Sequence, residues 1–297
     1  MALEVVKKHE NAHPHSIWTV ACKNKYVATG GVDGVVKVWL QDDPYDCVKE
    51  LSCSILSVVS VALTSTTLLA SSIDNHLKVW DLNTWELLKD IEFGSAELWN
   101  ICVNPVNPSL LATSGQKGHV NIWDVTKGSK TQTLETSSDK FLICISWSIS
   151  GKYIACGSVD GVLTVFSLEE GSKLHSIEVY TCTIRSVCFS IDEQVLAVAS
   201  DDSFVHIYNV ETAHLVRSLS GHHSWVTAVS LSPNNKYLVS GSLDKNVKVW
   251  DAQTGDSLAV YSYHNGAVWG LAWNNTGTRL FSVGEDGQLV IYNCLEK

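Results

Sequence analysis

The sequence predicts an all-β fold, a seven-bladed propeller, from three observations: a short phrase recurs seven times, its spacing is nearly constant, and each interval offers four β-prone runs. The phrase is fullest as Ser240-Gly-Ser-Leu-Asp-Lys-Asn-Val-Lys-Val-Trp-Asp251. Val239 to Ser242 and Val247 to Trp250 favour strands, and Leu-Asp-Lys-Asn between them favours a hairpin turn.

Counting back six residues from each closing aromatic gives Asp33 (Trp39), Asp74 (Trp80), Lys117 (Trp123), Asp160 (Phe166), Asp202 (Tyr208), Asp244 (Trp250) and Asp286 (Tyr292). Successive spacings are 41, 43, 43, 42, 42 and 42 residues, the length of one four-stranded blade. The repeats run approximately over 9–49, 52–90, 94–133, 137–176, 180–219, 222–261 and 264–297.

Within a repeat the elements follow in order. An inner strand such as Ile184-Arg-Ser-Val-Cys-Phe189 is followed by a turn, by the two strands of the phrase, and by an outer strand such as Glu86-Leu-Leu-Lys-Asp-Ile91. The outer strands alternate charged and apolar residues, as one solvated and one buried face requires. Asn-Pro-Val-Asn-Pro and Pro-Asn-Asn-Lys supply turn breakers. Residues 293–297 are too few for a last outer strand, so 3–8 are expected to complete blade seven and close the ring, removing an exposed edge. No repeat carries an insertion, and function is expected on the propeller itself.

Composition narrows the function classes. The net charge is −10, and no run of Lys or Arg exceeds two residues, which argues against a surface that tracks phosphates. Nine cysteines, an odd number without Cys-x-x-Cys, fall mostly in predicted strands; they read as small buried hydrophobes in a reducing compartment rather than as a disulfide framework or zinc site. The charge-free stretch from Leu51 to Ile73 is long enough to span a bilayer, but ten of its residues are Ser or Thr and it falls in register with the strands of blade two, so it reads as soluble. The first residues hold no apolar run of signal-peptide length.

Catalytic readings find little support. The repeated carboxylates sit one per repeat, as turn residues do, and His13 with His15 or His222 with His223 is a thin basis for a metal site. There is no Gly-x-Ser-x-Gly, no Gly-x-Gly-x-x-Gly and no Walker loop. A non-catalytic chain without cofactor or metal is expected.

The repeats resemble the WD-repeat family. That family adds a Gly-His before the Asp and a Ser or Thr four residues ahead of it, so that Trp, Ser/Thr, Asp and His form a hydrogen-bonded relay. The four positions stand here as His13, Thr29, Asp33, Trp39 and as His222, Ser240, Asp244, Trp250; the last repeat has His264, Ser282 and Asp286, with Tyr292 for Trp. Ser54, Ser95, Ser138 and Tyr180 stand near the His position elsewhere, and Lys117 replaces an Asp, so those blades are expected to rest on packing alone.

Aligned on the first apolar residue of each inner strand, the next position reads Trp18, Val59, Trp99, Ile143, Arg185, Thr227, Trp269, and the preceding one adds Phe141 and Trp225. The resemblance places these positions around the channel mouth on the top face, where partners dock. Trp18, Trp99, Phe141, Arg185, Trp225 and Trp269 are therefore candidate partner-binding residues, since Trp, Tyr and Arg dominate the energy of protein contacts. The competing reading packs the rings between blades.

A narrower likeness rests on His15-Ser-Ile-Trp-Thr-Val, Ser57-Val-Val-Ser-Val, Gly151-Lys-Tyr-Ile-Ala, Ile184-Arg-Ser-Val, Leu219-Ser-Gly-His222, Val268-Trp-Gly and Ser282-Val-Gly-Glu-Asp. Together these stretches resemble the small WD-repeat subunits of superkiller complexes. The resemblance implies a scaffold, cytoplasmic and nuclear, that binds a tetratricopeptide-repeat subunit and through it an RNA helicase serving exosome-mediated mRNA decay. In animals it also implies a component of the Paf elongation complex. The alternative is a histone-tail or other peptide-reading adaptor in a chromatin or ubiquitin-ligase complex. Trp80-Asp-Leu-Asn, Trp123-Asp-Val-Thr and Trp250-Asp-Ala-Gln lack the Trp-Asp-x-Arg of cullin-ligase receptors.

Overall fold

Each turn is chemically prepared for the strands it joins. In the fullest repeat Tyr237–Ser242 runs antiparallel to Val247–Asp251 with Val239 opposite Val249. The Asp244 carboxylate caps the turn by accepting the Asn246 N–H (3.0 Å), and Lys245 takes a positive φ of 71°. In the first repeat that corner is Gly34, at φ 70°, where a Cβ would stand 2.2 Å from the Ser54 carbonyl oxygen. Only glycine fits there.

The computed structural model describes residues 2–94, 98–179 and 181–295, and they form seven antiparallel sheets of four strands. Blade one, for example, is built from Ile17–Lys23, Tyr26–Gly31, Val35–Leu40 and Cys47–Ser52, in that order from the channel outward. The inner strands of successive blades pack side by side around the channel, and the last inner strand, Val268–Trp273, packs against the first, Ile17–Lys23. In blade seven Ala2–His9 pairs antiparallel with Leu289–Leu295, Leu3 facing Cys294 and His9 facing Leu289. The ring is thus closed by hydrogen bonds between the two ends of the chain.

The core lies between blades rather than within one. Ala28, Val36 and Val38 of blade one meet Val58, Leu68, Ala70 and Trp80 of blade two; Phe281, Val283 and Ile291 of blade seven meet Ile17, Val27 and Trp39 of blade one. Second strands, covered on both faces, are buried from their second residue on, as in Tyr26–Gly31, whereas the outer strand Ser129–Glu135 is exposed except at Leu134. The stretch from 51 to 73 enters this scheme as the end of an outer strand followed by Val58–Leu63 and Thr67–Ser72. Among the described residues no helix is long and apolar enough to cross a membrane.

Candidate functional site

The inner strands aim one side chain each at the channel by a repeated backbone device. In six blades their pairing skips one residue, and the skipped residue is Trp18, Val59, Ile143, Arg185, Thr227 or Trp269. A bulge of this kind turns its side chain out of the sheet plane. In blade three the inner strand starts at Asn100, and the preceding Trp99 donates its N–H to the Ser114 carbonyl (2.7 Å). All seven positions line one cavity of about 400 Å³ at the channel mouth. The residues that follow fasten neighbouring blades: Val61 N–H donates to Thr19 Oγ1 (3.2 Å) and Val229 N–H to Ser186 Oγ (3.4 Å).

The aromatic candidates fall between the two sequence readings. Trp18, Trp99, Phe141 and Trp269 are half-buried, and Trp225 is 42% exposed. Trp99 and Phe141 meet edge to face, centroids 5.2 Å apart at 75°. Phe141 and Trp225 stand beside the cavity rather than in its wall, each held by a wall residue.

Arg185, a candidate partner-binding residue in the sequence, is already engaged within the ring. Its Nε and Nη2 donate to the two oxygens of Asp201 (2.7 and 2.8 Å), and its guanidinium lies 4.8 Å from the Trp225 centroid. A planar fork matched to a carboxylate and stacked on an indole is a prebuilt platform. Arg185 therefore positions Trp225, and what it offers a partner is the remaining edge of the guanidinium.

Outward of the inner strands, on the second and third strands and the turns beside them, stand the relays. Trp39 Nε1–H donates to Thr29 Oγ1 (2.9 Å), whose oxygen is 2.8 Å from His13 Nε2, and His13 Nδ1 is 2.7 Å from Asp33. In blade six the corresponding distances are 2.8 Å (Trp250 to Ser240), 2.7 Å (Ser240 to His222) and 2.8 Å (His222 to Asp244). In blade seven Tyr292 Oη is 3.0 Å from Ser282, which is 2.7 Å from His264, itself 3.1 Å from Asp286. Each chain runs from indole or phenol through hydroxyl and imidazole to carboxylate, leaving no buried polar group orphaned along it. Both ring nitrogens of His13 and of His222 are engaged, which takes them out of the metal reading.

Packing alone does not carry the degenerate blades. Ser54 Oγ donates to Asp74 and Ser138 Oγ to Asp160 (3.0 Å), each hydroxyl standing where the histidine would. In blade five His206, from the neighbouring strand Val205–Asn209, approaches Asp202 through Nε2 (2.7 Å) and Ser218 through Nδ1 (2.8 Å). A histidine four residues after the repeated acid was the available signal in the sequence. Ser95 and Tyr180 lie outside the described residues. Blade three, with Lys117, leaves Thr113 Oγ1, Ser114 Oγ and Trp123 Nε1 buried without partners.

The relays make the fold acid-sensitive. Burial by itself raises the Asp33, Asp244 and Asp286 carboxyls, but hydrogen bonds from His13, His222 and His264 and from backbone N–H groups outweigh it and hold all three below the usual carboxylate range. A carboxyl with a lower pKa folded than unfolded contributes stability that is complete above the unfolded value, near 3.8, and is lost as pH falls through the folded value. Stability is expected to fall steeply below about pH 4. Asp244→Asn should be less stable at neutral pH and flatter across the acid limb, read from denaturant midpoints at several pH values. Burial also pushes the Cys22, Cys53 and Cys144 thiols up to about 12, which keeps them unreactive.

Comparison with known families agrees with this architecture. The profile of the second β-propeller of echinoderm microtubule-associated proteins matches residues 98–264, and that of the WD domain, G-beta repeat, matches 5–39 and 255–293. The chain belongs to the WD-repeat β-propellers. It is similar to the WD repeat-containing protein SL1-17 of Schistosoma mansoni, 31% identical over 105 residues, covering 32% of this chain and 35% of that protein. It is also similar to the WD repeat-containing protein VIP3 of Arabidopsis thaliana, 32% identical over 123 residues, covering 39% of this chain and 38% of the relative. The matched part thus spans little more than a third of each relative's length. WD-repeat propellers generally act as protein-interaction scaffolds, typically without catalysis.

Proposed function

We propose that this propeller is a non-catalytic scaffold whose channel mouth captures a short segment of a protein partner. The observation that carries the reading is the ring of seven inner-strand positions, six of them bulged and three of them tryptophans, around a cavity of about 400 Å³. A rigid, preformed aromatic rim orders little on binding, so a segment with one apolar anchor and polar flanks docks at low entropic cost.

The finer reading rests on the sequence resemblance. In it the chain is the WD-repeat subunit of a superkiller-type complex, holding a tetratricopeptide-repeat subunit and through it an RNA helicase, in the cytoplasm with exosome-mediated mRNA decay and in the nucleus with Paf complex subunits. Affinity purification of the wild type beside a Trp99→Ala, Trp269→Ala double variant, with mass spectrometry, tests both levels. A tetratricopeptide protein and an RNA helicase retained by the wild type alone is the expected result. Identical partners on both chains would move the site off the mouth, and absence of such partners from both would end the superkiller reading.

A further inference from the structure

The channel has a second mouth at the opposite end of the inner strands, and it is chemically different. There Trp147, Phe189, Leu231 and Trp273 wall a cavity of about 520 Å³. The turns that follow hold Ile149 and Ile191 at its edge, 51% and 47% exposed, and the neighbouring turn of blade three presents Val106 at 67%. These are not the scattered apolar residues of an ordinary surface, because they occupy adjacent turns around one hollow. Nor are they loose: Ser150 donates its N–H (2.6 Å) and its hydroxyl (2.9 Å) to the Glu193 carboxylate of the next turn, and Ile191 N–H donates to Asn235 Oδ1 of the one after (2.9 Å). Three blades are laced turn to turn, so the apolar edge is preformed.

Charge decides what would sit there. The turns between third and outer strands lie at this same end, since Leu168 N–H reaches the Lys152 carbonyl (2.8 Å), Val210 N–H that of Gln194 (3.0 Å) and Ala252 N–H that of Lys236 (2.9 Å). Over blades four to six they expose Glu169, Glu170, Glu211 and Asp256. Asp192, exposed on the inner turn of blade five, adds to them; against them stand Lys152, already 3.0 Å from Glu169, Lys236, and Lys23 of blade one in the lining of the hollow itself. The turns that join the third strand to the outer one lie two to three inter-strand spacings from the inner strand, roughly 10–15 Å, so the acidic rim acts on the hollow across a little more than one Debye length at physiological salt and most strongly at low salt.

We propose that this second mouth is a docking site for a partner segment that seats one or two aliphatic side chains in the hollow and flanks them with Lys or Arg. The assignment is independent of the aromatic mouth, and it allows the disc to hold two partners from opposite faces at once. Surfaces rich in phosphate, whether nucleic acid or anionic lipid, meet the wrong sign of charge here.

Fluorescence anisotropy with a labelled peptide, two leucines set among arginines, tests the proposal against a matched peptide with glutamates for the arginines. The wild type should bind the cationic peptide, more weakly as salt rises, and ignore the acidic one. Ile149→Ser with Ile191→Ser should weaken binding at least about tenfold, while Trp99→Ala with Trp269→Ala leaves it unchanged. The isoleucines are surface residues, and an unshifted denaturation curve checks the fold. Should the serine pair unfold, Glu170→Gln with Glu211→Gln carries the test through a measurable loss of affinity. Equal binding of the acidic peptide, no binding of the cationic one, no effect of the variants that retain the fold, or a loss confined to the Trp99, Trp269 variant would overturn the proposal.

Discussion

Trp99→Ala and Trp269→Ala are each expected to cost roughly 2 kcal/mol or more of affinity for the segment held at the aromatic mouth, about thirtyfold, in isothermal titration against the purified partner. Each removes a large ring from the wall of the channel cavity. Neither ring belongs to an inter-blade core cluster, and the part of each that stays exposed is what an entering segment covers. Trp99 also gives up its edge contact with Phe141, worth about 1 kcal/mol, and that part should appear as a modest loss of stability. Val59→Ala, at an equivalent place with a small side chain, should change affinity much less. Variants that unfold instead of losing affinity would put the rings in the core and sink the binding site.

The largest effect on stability should come from a hydroxyl. Ser240 joins Trp250 to His222, and Ser240→Ala leaves both the indole N–H and imidazole Nε2 buried without partners. At about 1–3 kcal/mol for each orphaned group the cost is roughly 3 kcal/mol or more, read from the denaturant midpoint by tryptophan fluorescence. Thr113 holds the equivalent place in blade three, four residues before Lys117, but its hydroxyl has no partner, so Thr113→Val should be nearly neutral or stabilising. Equal costs at the two positions would show that the relay contributes no more than packing does.

The blades and closure were legible because they depend on local pattern: alternation, turn residues and a fixed period repeat whatever lies across the channel. The relays of blades one, six and seven were legible for the same reason, their members standing at constant offsets. Ser54, Ser138 and His206 were not, because what makes each a relay member is a distance to an aspartate across a turn or a strand. Arg185 shows the limit most sharply. Its place in the rim followed from alignment, whereas its bond to Asp201 and its stacking on Trp225 depend on side-chain directions that only the assembled blades define.

By itself, then, the sequence determined a seven-fold all-β repeat, the phase of every blade and the side chains available to the rim, since hydrophobic period and turn chemistry act within a few residues. The tertiary structure decided where those side chains point. The bulge that aims Trp18, Arg185 or Trp269 into the channel is a mismatch between two paired strands, and the apolar hollow at the other mouth exists only where the turns of several blades meet. Both are relations between segments distant in the chain, set by packing around a closed ring.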